Sequence, residues 1–375
     1  MSWPIPEIPK LPKFSKPKYK FWLYGFLFLF GIAYILFNQF GEKVGFENIF
    51  LYFVLPVFLI WMFLFGVSIH RYEYCLASHK AWEKESEHTT HLWQEWSKWQ
   101  QAVIGNVVLS PEEKGASVML GDIKNVPMYP DKGRPLFGER KGFTEYLLTI
   151  HLRLEQQFPE YRNHLYQVYL LCSDKLYLKN IVDDVFNQWL LVPDILDLNL
   201  ASKLVQEDVE YKGGVLLLCV NCWPHHAAQE HSEFITAQFF SSVEYAREHQ
   251  LPVIAALGRA MPLDKNALDK DLEMLFKYNE LEKAELQHVW LAGESQKNFE
   301  SLLIYSAKVD WLLPEKSPAY LVNLSFGPSH EFSFFNYLAL VTDAVIHAQQ
   351  DQLLICQNST STNLLCLIKK DFFNE

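Results

Sequence analysis

Two unbroken apolar runs stand at the front of the chain. Phe21 to Phe37 carries no charged side chain over 17 residues, and Ile49 to Ile69 carries none over 21. At about 1.5 Å rise per residue, the second run crosses a hydrocarbon core of roughly 30 Å, and the first does so with Asn38 to Phe40 added. A cleaved leader would end in small residues; here Asn38-Gln39-Phe40 and a second apolar run follow. Pro56 in the second run is tolerable where neighbouring groups re-satisfy the freed carbonyl. The pattern predicts a transmembrane helical hairpin over residues 21–70.

Beyond it the periodicity changes. Arg71 to Ile104 lacks Gly and Pro, which predicts a long helix leaving the membrane. Trp93, Trp96 and Trp99 recur every three residues on one broad face, for packing on the next domain or for docking a partner. From Gly105 to Gly142, Gly and Pro alternate as in a connector laid over a surface. Then strands and helices alternate. Phe143 to Gln157, Asn180 to Leu190, Val243 to His249 and Lys265 to Lys277 have helical spacing. Leu165 to Cys172, Val215 to Val220, Phe234 to Phe240, Pro252 to Leu257, Val289 to Ala292, Tyr320 to Leu324, Leu353 to Cys356 and Leu364 to Ile368 are short apolar runs of strand type. Val215 to Val220 is apolar on both faces, as in a strand buried between two layers. The class is α/β, in four parts: a basic Pro-rich tail (1–20), the hairpin (21–70), the Trp-rich helix and connector (71–142) and a layered α/β domain (143–375).

Charge gives the hairpin an orientation. Lys10, Lys13, Lys16, Lys18 and Lys20 precede it, His70 and Arg71 follow it, and the connecting loop holds only Lys43. Both termini and the main domain are therefore expected on the cytoplasmic side, as a multi-pass protein of the bacterial inner membrane. Pro4, Pro6, Pro9, Pro12 and Pro17 keep the tail extended, so its lysines can lie against anionic headgroups. The formal net charge of −11 is more acidic still beyond residue 69, which excludes a broad nucleic-acid surface. All six cysteines follow the hairpin and are expected as free thiols in a reducing cytoplasm.

The densest reactive cluster is Cys219, Cys222, His225 and His226, then Glu230 and His231. Thiolate and imidazole ligands at this spacing suit tetrahedral zinc, with Cys219, Cys222, His225 and one of His226 or His231 as the ligands. Against that, Cys219 ends a buried strand, and no second Cys-x-x-Cys is present. Gly-x-Ser-x-Gly, the P-loop and the dinucleotide glycine pattern are absent. Gly293-Glu294-Ser295 is a turn after a strand with no base beside it. No catalytic, cofactor or metal residue is therefore assigned, and no cofactor is expected.

Glu230 to Ala260 resembles the middle of the thiolase and β-ketosynthase fold. His288 to Leu303 is similar to the strand, turn and helix that carry the first catalytic histidine there. Leu321 to Gln349 is similar to the strand, Gly-His turn and buried helix that carry the second, and Leu353 to Lys369 to the closing hairpin. The resemblance covers roughly residues 160–370 and departs from the family at each catalytic position. No histidine stands near Gly293 to Ser295, the Gly-His turn reads Gly327-Pro328, and Leu191 to Tyr211 holds no cysteine to start the nucleophile helix. Acyl transfer needs a thiolate and its donors. The membrane-tethered, degenerate form resembles lipase-adaptor proteins of type VI secretion. That resemblance implies a pseudoenzyme, not an enzyme, which binds an effector or secretion component and is a possible homodimer. The alternatives are a membrane-bound acyltransferase or ketosynthase-like enzyme using Cys172 or Cys222, and a zinc sensor.

Overall fold

In the computed structural model both apolar runs are helical. The structure describes residues 3–6, 8, 9, 11, 15–40, 50–121, 124, 126–129, 132–174, 177–209, 211–223, 231–264, 266–293, 295–357 and 363–373. Lys43, His225, His226, Glu230 and Glu294 lie outside them. Two compact units form, one over Ile5–Leu92 and one over Met1–Pro4 with Trp93–Glu375.

In the first unit, α1 (Tyr19–Phe40) is followed by a π-helical turn (Phe50–Val54) and α2 (Leu55–Ser97). Aromatic side chains pair the two helices. Trp22 meets Phe65 and Phe26 meets Trp61, with ring centroids 5.5 and 5.0 Å apart. Trp61 Nε1 donates to the Trp22 carbonyl at 3.0 Å. Contacts rise along α1 as they fall along α2, so the pair is antiparallel. The outward rings of Phe21, Phe28 and Phe63 are exposed. By length and composition α2 is a candidate to cross a membrane, whereas the apolar run of α1, Tyr19–Ile35, is shorter. Among the described residues there is thus one candidate span where the sequence predicts two. The helix predicted to reach Ile104 ends at Ser97. Gln100 to Leu109 is extended, because the run Ala102-Val103-Ile104 supplies apolar side chains to both faces of a sheet.

The main unit opens with β1 (Gln100–Leu109), α3 (Ser117–Leu120), α4 (Phe143–Gln157) and α5 (Tyr161–His164). It continues with β2 (Leu165–Cys172), α6 (Leu178–Trp189), β3 (Asp194–Ile195) and α7 (Leu198–Gln206). The hairpin β4 (Gly214–Asn221) and β5 (Phe234–Ser242) and α8 (Val243–Glu248) close this half. The second half runs β6 (Ala255–Gly258), β7 (Met261–Pro262), α9 (Leu268–Asn279), β8 (His288–Gly293) and α10 (Ser295–Lys308). It ends with β9 (Tyr320–Leu321), α11 (Val322–Phe326), α12 (Ser333–Ala348), β10 (Gln352–Gln357) and β11 (Leu364–Lys369).

One sheet runs β3-β2-β4-β5-β1-β6-β11-β10-β8-β9, with β7 pairing β11. Reading outward from the central antiparallel pair β1–β6, each half repeats the same order: first strand, closing hairpin, second strand, short edge strand. In each half the second strand is parallel to its neighbours on both sides. The main unit is thus a duplicated α/β unit. Pleating sends alternate side chains to opposite layers. Leu216, Leu218 and Val220 of β4 join Leu147, Ile150 and Leu154 of α4 and Val185 of α6. Val215, Leu217 and Cys219 face the layer of α7 and α12. Trp96 and Trp99 stack on the guanidinium of Arg259, which fits the packing role expected of that Trp face.

Candidate active site

Parallel strands end on the same side, and in α/β sheets ligands bind beyond those carboxyl ends. β2 ends at Cys172 and β4 at Asn221, and a cavity of about 540 Å³ opens there. Its side walls are the first residues of α4 and α6, Gly142 and Phe143 on one side, Tyr177 and Asn180 on the other. The strand ends are tied together: Ser173 Oγ donates to Asn221 Oδ1 at 3.0 Å, and Asn221 Nδ2 donates to the Ser232 carbonyl at 2.8 Å.

Cys172 and Cys222 both line this cavity. In register Cys172 pairs with Val220, and Cys222 stands two residues further along the same face. Glu233 lines the same cavity and is buried. Its Oε1 accepts from the Trp223 N–H at 2.8 Å and its Oε2 from the Leu136 N–H at 3.1 Å. Arg140 Nη2 approaches Glu233 at 3.8 Å and donates to the Trp223 carbonyl at 2.9 Å. Burial raises the Cys172 thiol pKa, and its Sγ donates to the Asp174 carbonyl at 3.5 Å. Burial first, then the Glu233 charge, pushes Cys222 up to about 12, with Arg140 opposing. Both are thiols, not thiolates, at neutral pH.

Of the four ligands the zinc reading needs, only Cys219, Cys222 and His231 fall within the described residues. Cys219 belongs to the layer of α12, while Cys222, one residue past the end of β4, packs against the layer of α4. Among the described residues no group of three or more His, Cys, Asp or Glu could hold a metal; His225, His226 and Glu230 lie outside them.

At the positions where the resemblance implied catalytic groups, the structure has other fittings. α7 starts without a cysteine, and Asp197 Oδ1 caps it by accepting from the Leu200 N–H at 2.8 Å. Gly293 N–H donates to Asn323 Oδ1 at 3.0 Å, and Asn323 Nδ2 donates to Ser329 Oγ at 3.1 Å. Gly327 has φ +83°, and a Cβ there would meet the Lys132 carbonyl oxygen at 2.5 Å, so only glycine fits before Pro328. Two residues on, buried His330 accepts at Nδ1 from the Phe332 N–H at 3.1 Å, and its Nε2 lies 3.2 Å from Asn336 Nδ2. Burial, with the His231 ring 5.9 Å away, drives its pKa down to about 3 and keeps it neutral. Sequence reasoning passed over His330, Glu233 and Arg140. The three are scattered in sequence, and only Pro328-Ser329-His330, just past the Gly turn, left a local trace.

No protein-family model matches the chain, and no curated protein matches it. Solved structures do share its shape. A type II PKS acyl-carrier protein in complex with its ketosynthase bound to the hexaketide aligns over 73% of this chain and 100% of that one, at 9% identity and TM-score 0.51. A ketosynthase domain from Streptomyces albus JA3453 aligns over 73% and 96% at 11% identity and TM-score 0.47. The 3-oxoacyl-[acyl-carrier-protein] synthase III of Aquifex aeolicus VF5 aligns over 72% and 99% at 9% identity and TM-score 0.42. The expectation that the chain is no enzyme is corrected to this extent: its main unit has the fold of an enzyme, the ketosynthase of the hexaketide complex. None of these structures bears on type VI secretion or an adaptor role. At the level of fold, the main unit is a thiolase/ketosynthase-like mixed α/β domain.

Proposed function

We propose that the chain is a membrane-tethered, thiol-dependent acyl-transfer enzyme, with Cys222 as the group acylated. The observation that supports this reading is the meeting of Cys172 and Cys222, far apart in sequence, in one cavity at the strand ends. Its volume suits a small-molecule chain. In the step proposed, Cys222 sulfur bonds to the carbonyl carbon of an acyl thioester and the thioester's own carbon–sulfur bond breaks. The Cys222 proton passes by way of Glu233 to the departing sulfur, leaving as a thiol. Because the resting sulfur is protonated, proton transfer accompanies attack, and the Arg140 cation favours the negative charge that develops. The ketosynthase of like shape is bound to a hexaketide and an acyl-carrier protein, and a carrier-bound acyl thioester is the substrate class proposed here. The apolar helices hold this domain at the cytoplasmic face of a bacterial inner membrane.

Incubating the full chain with an octanoyl N-acetylcysteamine thioester, followed by intact-mass and peptide mapping, should show one acyl group on Cys222. The adduct should vanish in Cys222→Ser and persist in Cys75→Ser. No adduct, or one that survives Cys222→Ser, would sink the reading.

A further inference from the structure

At the start of α1 a groove of about 560 Å³ is lined by Lys16, Lys18 and Arg71 together with Phe21, Trp22 and Tyr72. All three cations are exposed, no acidic side chain lines the groove, and none of the three has an acidic partner among the described residues. The position matters as much as the charge. Phe21 to Phe40 of α1 and Leu55 to Ile69 of α2 carry no charge, and the antiparallel pairing of Trp22 with Phe65 brings the boundaries of both stretches to one end. In a bilayer this end lies at headgroup depth, where Trp and Tyr rings concentrate.

We propose that the groove binds the headgroup of an anionic phospholipid, an inference that rests on the membrane-tethered reading above. The phosphodiester is taken by Lys16, Lys18 and Arg71, and the glycerol and first methylenes lie against Phe21, Trp22 and Tyr72. Inorganic phosphate shares the charged half of this chemistry but leaves the aromatic half exposed. That asymmetry is why a lipid is the occupant proposed.

The full chain in dodecyl maltoside, titrated with dioleoyl phosphatidylglycerol or dioleoyl phosphatidylcholine and read by native mass spectrometry, tests this. Phosphatidylglycerol should be retained in preference, and each neutralised cation should weaken its retention about fivefold. The triple change Lys16→Gln, Lys18→Gln, Arg71→Gln should therefore abolish the preference, while Lys16→Arg, Lys18→Arg, Arg71→Lys should keep it. Equal retention of the two lipids, or an unchanged preference in the glutamine variant, overturns the site. Displacement of the lipid by millimolar inorganic phosphate overturns the lipid assignment. Release of the chain from membranes by alkaline carbonate sinks the tether and the site together; a chain that stays but shows no preference sinks the site alone.

Discussion

In the first half of the duplicated unit the helix that follows edge strand β3 is α7, nine residues with four buried. In the second half β9 is followed by the short α11 and then by α12, sixteen residues with twelve buried. α12 also reaches across to the first half. Asn106 Nδ2 of β1 donates to the Ala339 carbonyl at 2.9 Å, and Gln238 Nε2 of β5 donates to Thr342 Oγ1 at 3.1 Å. A short α7 suffices because α12 fills the layer beneath both sets of strands. The strand ends differ in the same sense. At the end of β8, Asn323 and Ser329 close the turn by hydrogen bonds, whereas at the ends of β2 and β4 a cavity with two thiols, Glu233 and Arg140 stays open. One copy carries the packing, and the other keeps an open cavity.

The sharpest way to break this comparison is to hollow the second half. Trp290 of β8 is fully buried, and its Nε1 donates to Gln352 Oε1 of β10 at 2.7 Å. Trp290→Ala removes the largest side chain there and strands a buried amide, so a loss of about 3–5 kcal/mol is expected in urea unfolding. A loss below about 1 kcal/mol would contradict a packing role for this half. Next in size is Gly214→Ala in the first half. A Cβ there would sit 2.1 Å from the Phe239 ring and 3.1 Å from the His164 carbonyl oxygen. The ring is fully buried in its layer, so overpacking should cost about 3 kcal/mol. A neutral result would show that β4 and β5 are looser than the register implies.

These two positions also show what the sequence could convey. The bounds of Phe143–Gln157 and Leu165–Cys172 follow from local pattern alone: α4 buries one face through Leu147, Ile150 and Leu154, and β2 buries the apolar run Val168, Leu170 and Leu171. Tyr320 to Leu324 read as a strand because its side chains are apolar, yet pairing stops at Leu321 and a helical turn follows. Local pattern cannot report where a partner strand ends. The duplication was invisible because its halves share strand order and not residues. The cavity was half legible: Cys172 and Cys222 stood out as reactive types. What joins them is the register of β2 on β4, a long-range fact. The same register separates Cys219 from Cys222, which spacing alone had grouped as metal ligands.

A smaller effect should separate the halves by pH. His330 sits beside α12 and is held neutral, its pKa lowered from 6.5 to about 3 chiefly by burial. A depressed pKa means that the unfolded chain takes up the proton first. Stability is therefore full above the unfolded pKa and falls as pH drops from about 6.5 toward 3. By pH 5 the loss should be about 2 kcal/mol from this group. His330→Gln should flatten the slope of urea-unfolding stability between pH 7 and 5, whatever it does to the absolute value. An unchanged slope would assign the acid sensitivity to other groups. Cys222 moves the opposite way: with its pKa raised to about 12, its alkylation by iodoacetamide should be slow at pH 7 and climb steadily to pH 10.

The smallest expected effect makes the comparison most specific. Leu200 lies on α7 with 49% of its surface exposed, while Leu338 of α12 is fully buried. If α12 carries most of the shared layer and the outer face of α7 is free, Leu338→Ala should cost about 2–5 kcal/mol and Leu200→Ala less than about 0.5 kcal/mol. Urea unfolding of the two variants side by side reads the difference directly. A Leu200→Ala loss above about 2 kcal/mol would mean that the outer face of α7 is covered in solution, as a second copy of the chain would cover it. In that case the difference between the two helices would lie in what covers α7 rather than in α7 itself.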